Sequence, residues 1–304
     1  MALFQVIREL FYPPTVVGQA TEIESAIIRQ VEEAAALLEA GDIGRGEEIS
    51  LALTAAHPEN QAVIDLQLML HLAIVRAKFP GPDYHAWLAW FHAKLQPKAY
   101  LEIGVEVGAS LRLAQHPTKA VGIDPAMQIA HSQEAWVKLF KLTSDRFFAE
   151  HNVAHVFGEE YVDLAFIDGL HTFDQALKDF INIERLAKPD SIILFHDILP
   201  VIPISAERER VSTFWVGDTW KALKILSEQR PDLTIFTIST FPSGLGVVTN
   251  LNPNNDSLER NFDNIIEDAS RIELEAYLPE FETRFRVTEN DFDAVEQLLF
   301  KGNQ

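Results

Sequence analysis

The chain has 304 residues, 47% of them hydrophobic, no cysteine and a formal net charge of −20. The lack of cysteine excludes disulfides, thiolate nucleophiles and cysteine-ligated metal centres, so any metal must take oxygen or imidazole ligands, while the acidic field repels phosphate backbones and anionic lipid. No run approaches the roughly 18 apolar residues of a bilayer-crossing helix, and the opening MALFQVIREL lacks a basic leader and a small-residue cleavage site, so the expectation is a cytoplasmic protein that engages neither nucleic acid nor membrane.

Taken in chain order, TEIESAIIRQVEEAAALLE (21–39) sets Ile23, Ile27, Val31 and Leu38 on one helical stripe, with Thr21 as N-cap and Glu24 completing a capping box. Two more helices follow, punctuated by Gly41, Gly44 and Pro58. The stretch LLEAGDIGRGEEISLALTAAHPENQAVIDL resembles a tetratricopeptide repeat unit. A lone unit cannot bury its own face by stacking, which implies a module that docks or dimerises.

A fourth helix begins near Gly81 and carries Trp87, Trp90 and Phe91, read as core. Beyond Pro97 short apolar runs alternate with helical stretches: AYLEIGV, then SLRLAQH as a helix, AVGID, a helix over 131–150, VDLAFIDG, FDQALKDFINIERLA and SIILFHD. Such alternation predicts βαβ units and an open, mostly parallel sheet. LTIFTIST and GLGVVTNL, separated only by FPS, predict an antiparallel terminal hairpin. The segment ILPVIPISAERERVSTFWVGD is long for a connection, so Trp215 and Trp220 are either lid or core. Its Glu207–Arg210 run reads as a salt-bridged face, and Ser144-Asp145 as a helix N-cap. The acidic stretch from Leu251 retains recurring apolar residues and reads as docked helix.

Two groups of residues carry chemistry. In YLEIGVEVGAS a strand runs into Gly104 and a second glycine, Gly108, with Glu102 inside the turn. Three residues between the glycines do not match the G-x-G-x-x-G that lays a pyrophosphate against the backbone. An acid in the turn suits a ligand bearing positive charge. Asp124, ending the next strand in AVGIDP, can accept both hydroxyls of a ribose or simply cap the turn into Pro125. E-x-G-x-x-x-G followed by G-I-D resembles the S-adenosylmethionine site of class I methyltransferases, over about residues 97–250. That resemblance implies Glu102, Gly104 and Gly108 near the methionine and ribose, and Asp124 on the ribose.

The second group lies in FIDGLHTFDQ and LFHD. Asp168 ends one predicted strand, and His196 with Asp197 ends the next, so all three should converge beside the first pocket. Two carboxylates and an imidazole suit Mg²⁺, Mn²⁺ or Ca²⁺. The DG-x-H and HD pair resembles the metal-assisted O-methyltransferases, including macrocin-like enzymes and the wider family-24 methyltransferases. The resemblance implies Asp168 and Asp197 as metal ligands with His196 as a third, and His171 as the general base. A histidine, with a reference pKa of about 6.5, can take a hydroxyl proton near neutrality. Without the resemblance, Asp-Gly is a turn and His171 a helix-start residue.

The expected organisation is a helical module over 1–80, a methyltransferase domain with a Rossmann-like α/β sheet over 81–250, and an acidic helical extension over 251–304. The expected activity is O-methylation of a small-molecule or sugar hydroxyl, with a homo-oligomer formed through the N-terminal helices. The alternatives are an NAD-type oxidoreductase or epimerase, and a non-catalytic adaptor that binds nucleoside.

Overall fold

A computed structural model of the chain describes residues 22–158, 161–210 and 214–301, leaving the expected cap Thr21 outside the described residues. The chain divides into two compact units, one made of residues 1–78 with 201–215 and the other of 79–200 with 216–304.

In the first unit, α1 (Glu22–Glu39) buries Ile27, Val31, Ala34, Ala35 and Leu38, a stripe at helical spacing that needs a partner. The partners are α2 (Ile43–Ala56), whose first turn is capped by the Asp42 carboxylate on Arg45 N, and α3 (Gln61–Lys78). Leu53, Leu66, Met69, Leu70 and Ile74 complete this core, and Ile202 from the 201–215 segment packs into it. Inside it, Gln67 Nε2 donates to Ser50 Oγ at 2.8 Å and to Thr54 Oγ1 at 2.6 Å, which satisfies a buried amide that would otherwise be costly.

The second unit is built on one eight-stranded sheet of order β3-β2-β1-β4-β5-β7-β6-β8. Its strands are β1 (Ala99–Ile103), β2 (Lys119–Ile123), β3 (Trp136–Phe140), β4 (Val162–Ile167), β5 (Ala187–His196), β6 (Thr234–Ile238), β7 (Leu245–Thr249) and β8 (Val287–Thr288). The first five run parallel, and β7 lies antiparallel between β5 and β6, as the hairpin reading expects. Alternate residues serve opposite faces. Leu101 and Ile103 join the layer formed by α7 (Phe173–Glu184) and α8 (Trp220–Gln229), while Tyr100 joins that of α4 (Tyr84–Leu95), which buries Trp87 and Phe91. The strand order reverses between β1 and β4. In open sheets, ligands bind at such a switch point, outside the carboxyl ends of the strands.

Three elements differ from the sequence reading. SLRLAQH forms only a 3₁₀ turn, Leu111–Leu113, because Leu111 is folded onto the sheet and β2 already begins at Lys119. The 131–150 stretch is not one helix: it holds edge strand β3 and then α5 (Ser144–Glu150), capped by Thr143 Oγ1 on Arg146 N and not by Ser144. β3 carries exposed Trp136 and Leu139, so it shows neither the buried run nor the clean alternation that marks a strand. Thirdly, β8 adds a two-residue eighth strand against β6. Between β3 and β4 the chain also forms the short α6 (Val153–Phe157).

After β7 come α9 (Ser257–Arg260) and α10 (Phe262–Ser270), then α11 (Phe281–Arg284) before β8 and α12 (Phe292–Glu296) after it. Phe262, Ile265 and Ile266 of α10 pack on the sheet core, and Val295 is fully buried in the opposite layer. Trp220, at the head of α8, is core: it is buried against Tyr277 and Phe285. No helix among the described residues is long and apolar enough to cross a membrane.

Candidate active site

The carboxyl ends of β1, β2 and β4 open on a cavity of about 300 Å³ lined by Gly104, Asp124, Thr143, Asp145, Gly169, Leu170, Gln175 and Asp179, among others. Of the four predicted cofactor residues, Gly104 and Asp124 stand in this lining. Gly104 has φ +89, and a Cβ there would fall 1.8 Å from Asp168 O. Only glycine lets the ends of β1 and β4 come this close, so its first task is to bring Asp168 beside the cavity. Asp124 Oδ2 accepts from Glu106 N at 2.7 Å and Oδ1 from Ala126 N at 2.6 Å; the carboxylate therefore fixes both neighbouring turns while still reaching the cavity wall.

Glu102 and Gly108 stand apart from that lining. The Glu102 side chain is fully buried, with Tyr100 OH at 2.6 Å and Ser110 Oγ donating at 2.7 Å. Burial, only partly offset by these bonds, pushes its pKa up to about 8. Gly108 faces Gln133 and Ile129, whose segment folds over the turn. Asp179, buried in the cavity wall, is likewise pushed up by burial, to about 7, against the bonds from Ser144 and Gln175.

Next to the cavity, sharing Gly169 and Leu170 with it, the ends of β4 and β5 bring together Asp168, His171 and His196 in a narrow cleft. Asp197 closes the group. His171 Nε2 lies 3.1 Å from Asp197 Oδ2 and 3.4 Å from Asp168 Oδ1. From the other side His196 Nδ1 lies 3.2 Å from Asp168 Oδ1 and 3.5 Å from Asp197 Oδ2. Two imidazoles thus flank one pair of carboxylates. Burial alone would raise the Asp168 pKa, but His196 and His171 overcome it and hold the carboxyl well below the usual range. Burial would lower His196, but Asp197 and Asp168 outweigh it and hold the imidazole well above its ordinary value.

This geometry is held against backbone preference. His171 has φ +58 and Asp197 φ +56, a left-handed region that non-glycine residues enter at a cost and that clusters at functional sites. What holds His171 there is its surroundings. Gly217, at φ +66, presses against its carbonyl so closely that a Cβ would fall 1.9 Å from His171 O. Two residues on, Phe173 N donates to buried Asp218 at 3.0 Å, fixing the start of α7.

Two residues of the site escaped the sequence reading. Tyr84 lays its ring on His196, centroids 4.3 Å apart, and burial followed by the surrounding carboxylates holds its hydroxyl pKa above the usual range. Ser243, fully buried in the β6–β7 turn, donates to Asp197 Oδ1 at 2.5 Å. Neither belongs to a recognisable motif, and no local signal marks them.

The span from β1 to the residue after Asp197 is also what a comparison of families picks out: residues 101–198 match the family-24 model described as a methyltransferase domain. This segment is a methyltransferase domain. Its boundaries enclose every predicted site residue, Glu102 to Asp197. The NAD-type alternative is not favoured. No curated protein matches the chain. Among solved structures, the chain is similar to the S-adenosylhomocysteine-bound methyltransferase PaMTH1 of Podospora anserina, 16% identical over 59% of this chain and 85% of that one, with a TM-score of 0.41. It is similar to the O-methyltransferase TomG of Streptomyces achromogenes, which is involved in tomaymycin synthesis and was solved with S-adenosylmethionine, at 15% identity over 55% and 78% and a TM-score of 0.40. A third, an O-methyltransferase of Bacillus cereus solved with S-adenosylhomocysteine, is 13% identical over 66% and 97%, with a TM-score of 0.38.

Proposed function

We propose that the methyltransferase domain transfers the methyl group of S-adenosylmethionine to a hydroxyl of a small-molecule acceptor, with the cofactor in the cavity bordered by Asp124 and the acceptor at the cluster of Asp168, His171, His196 and Asp197. The observation that carries this reading is the cluster itself. Asp168, Asp197 and His171 each offer a ligand atom, all within 4.8 Å of one another. That spread fits a single divalent cation with ligands at about 2.0 to 2.6 Å, and two carboxylates with an imidazole suit Mg²⁺ or Mn²⁺.

In this reading Asp168 and Asp197 would hold the cation, with His196 Nδ1, 3.2 Å from Asp168 Oδ1, as third ligand in place of His171, which leaves His171 to accept the acceptor's proton. A bound cation supplies the charge that lowers the pKa of the acceptor hydroxyl. S-adenosylmethionine, when bound, would supply the methyl group by in-line displacement at its carbon, its sulfonium leaving as the neutral thioether, while the proton of the acceptor hydroxyl passes to His171. His171 suits the base because it is the more exposed imidazole, 23% against 8% for His196. The closeness of His171 Nε2 to both carboxylates favours a second reading, in which His171 is a ligand. Metal analysis of His171→Ala separates them, since the variant keeps its cation in the first and loses it in the second.

The test of the function is Mn²⁺ uptake by elemental analysis together with S-adenosylmethionine titration, on wild type and Asp168→Asn. Wild type should take up both, and the variant the cofactor alone. An adaptor that binds nucleoside without turnover would bind the cofactor and take up no cation.

A further inference from the structure

We propose that Ser243 is a positioning residue, which orients the His196 ring through Nε2 and the Asp197 carboxylate through Oδ1 so that His196 Nδ1 and Asp197 Oδ2 both face the place of a divalent cation. This rests on the cation reading above. Ser243 lies far from the methyltransferase segment in sequence, in the turn between β6 and β7, and is fully buried. Its carbonyl accepts from Ile198 N at 3.0 Å and Leu199 N at 2.7 Å, tying the turn to the exit of β5, where Asp197 holds its left-handed backbone.

The hydroxyl has one proton to give and lone pairs to receive with. A carboxylate only accepts, so the 2.5 Å bond to Asp197 Oδ1 consumes the Ser243 proton. That leaves Asp197 Oδ2 turned to the cluster, 3.1 Å from His171 Nε2 and 3.5 Å from His196 Nδ1. Having spent its proton, Ser243 Oγ can only accept from His196 Nε2, which stands 3.4 Å away. This anchors the ring by its Nε2–H and turns Nδ1 toward Asp168 and Asp197, where without a cation it donates to Asp168 Oδ1 at 3.2 Å and where a cation would take that proton's place. Histidines that bind metals are commonly fixed in this way through their other nitrogen, and loss of such a partner typically costs about 10- to 100-fold in metal affinity. One serine thus serves two of the candidate ligands from behind.

The test is calorimetric titration of Mn²⁺ at fixed pH into the full chain, as wild type, Ser243→Ala and Asp168→Asn, with S-adenosylmethionine affinity and melting temperature measured on each. Ser243→Ala removes only the hydroxyl, and the two backbone bonds of the turn remain. The expected result is a Mn²⁺ dissociation constant raised about 10- to 100-fold, with cofactor affinity unchanged. Unchanged Mn²⁺ affinity in Ser243→Ala overturns the assignment. Parallel loss of Mn²⁺ and cofactor affinity with a lowered melting temperature also overturns it, because the hydroxyl is then merely structural. Wild type that takes up no more Mn²⁺ than Asp168→Asn overturns the cation reading, and this assignment with it.

Discussion

Replacing Glu102 by glutamine should make the protein more stable at alkaline pH and leave it little changed in acid. Glutamine keeps the shape, can accept from Ser110 Oγ and can donate to the Tyr100 oxygen, so the substitution removes the ionisation and little else. In the fold the Glu102 pKa is pushed up to about 8 from an ordinary 4.5. Below pH 4.5 the folded and unfolded chains both carry the proton and the group favours neither. Between 4.5 and 8 the unfolded chain ionises while the folded one stays neutral, so the folded state loses about 1.4 kcal/mol per pH unit. Above 8 the loss is complete. Over the whole window it amounts to roughly 5 kcal/mol as an upper bound, undiminished by solvent because the side chain is fully buried. Other groups titrate in the same window, Asp179 among them, but they are common to both proteins and cancel in the comparison. Urea unfolding of both at pH 5, 7 and 9 reads the effect: the variant should gain on wild type by several kcal/mol from the first pH to the last. Curves that stay parallel across pH would refute the reasoning and show that the Glu102 carboxyl ionises freely in the fold.

Four further outcomes follow from the geometry. Asp124→Ala should weaken S-adenosylmethionine binding by about 1 to 3 kcal/mol through the loss of charged hydrogen bonds, as titration calorimetry on the folded variant would show. His171→Ala should lower turnover by about 10² to 10⁴ while retaining Mn²⁺, measured by assay and elemental analysis once an acceptor is found. Gly217→Ala should lower the unfolding free energy by about 1 to 3 kcal/mol and displace His171, since the new Cβ has no room beside His171 O and the backbone is left-handed; denaturant melts report the first effect. Deleting residues 1–78 should leave Ile202 without the helical core it packs in and cause aggregation visible by light scattering.

Much of this site was legible because strands advertise their ends. VDLAFIDG and SIILFHD are apolar runs that stop at acids, and in a parallel sheet such stops fall on one edge; Asp168, His196 and Asp197 meet there as the spacing requires. Asp124 was legible for the same reason. For Glu102 the strand pattern gave less: an acid inside an apolar strand suggests a ligand contact, and here it alternates with Leu101 and Ile103 and shares its face with Tyr100, the residue it bonds. Edge strand β3 was hidden by its exposure. Tyr84 and Ser243 were beyond reach, since a tyrosine at a helix start and a serine in FPSG each have ordinary local explanations, and only the folding of α4 and the terminal hairpin against β5 brings them to His196.

The decisive experiment is a pair of calorimetric titrations, S-adenosylmethionine and Mn²⁺, into wild type, Asp124→Ala and Asp168→Asn. Two adjoining sites built from different strand ends should give wild type both ligands, an Asp124→Ala protein that loses cofactor affinity while keeping Mn²⁺, and an Asp168→Asn protein that does the reverse. A folded wild-type protein that binds no S-adenosylmethionine would contradict the proposed methyl transfer at its root.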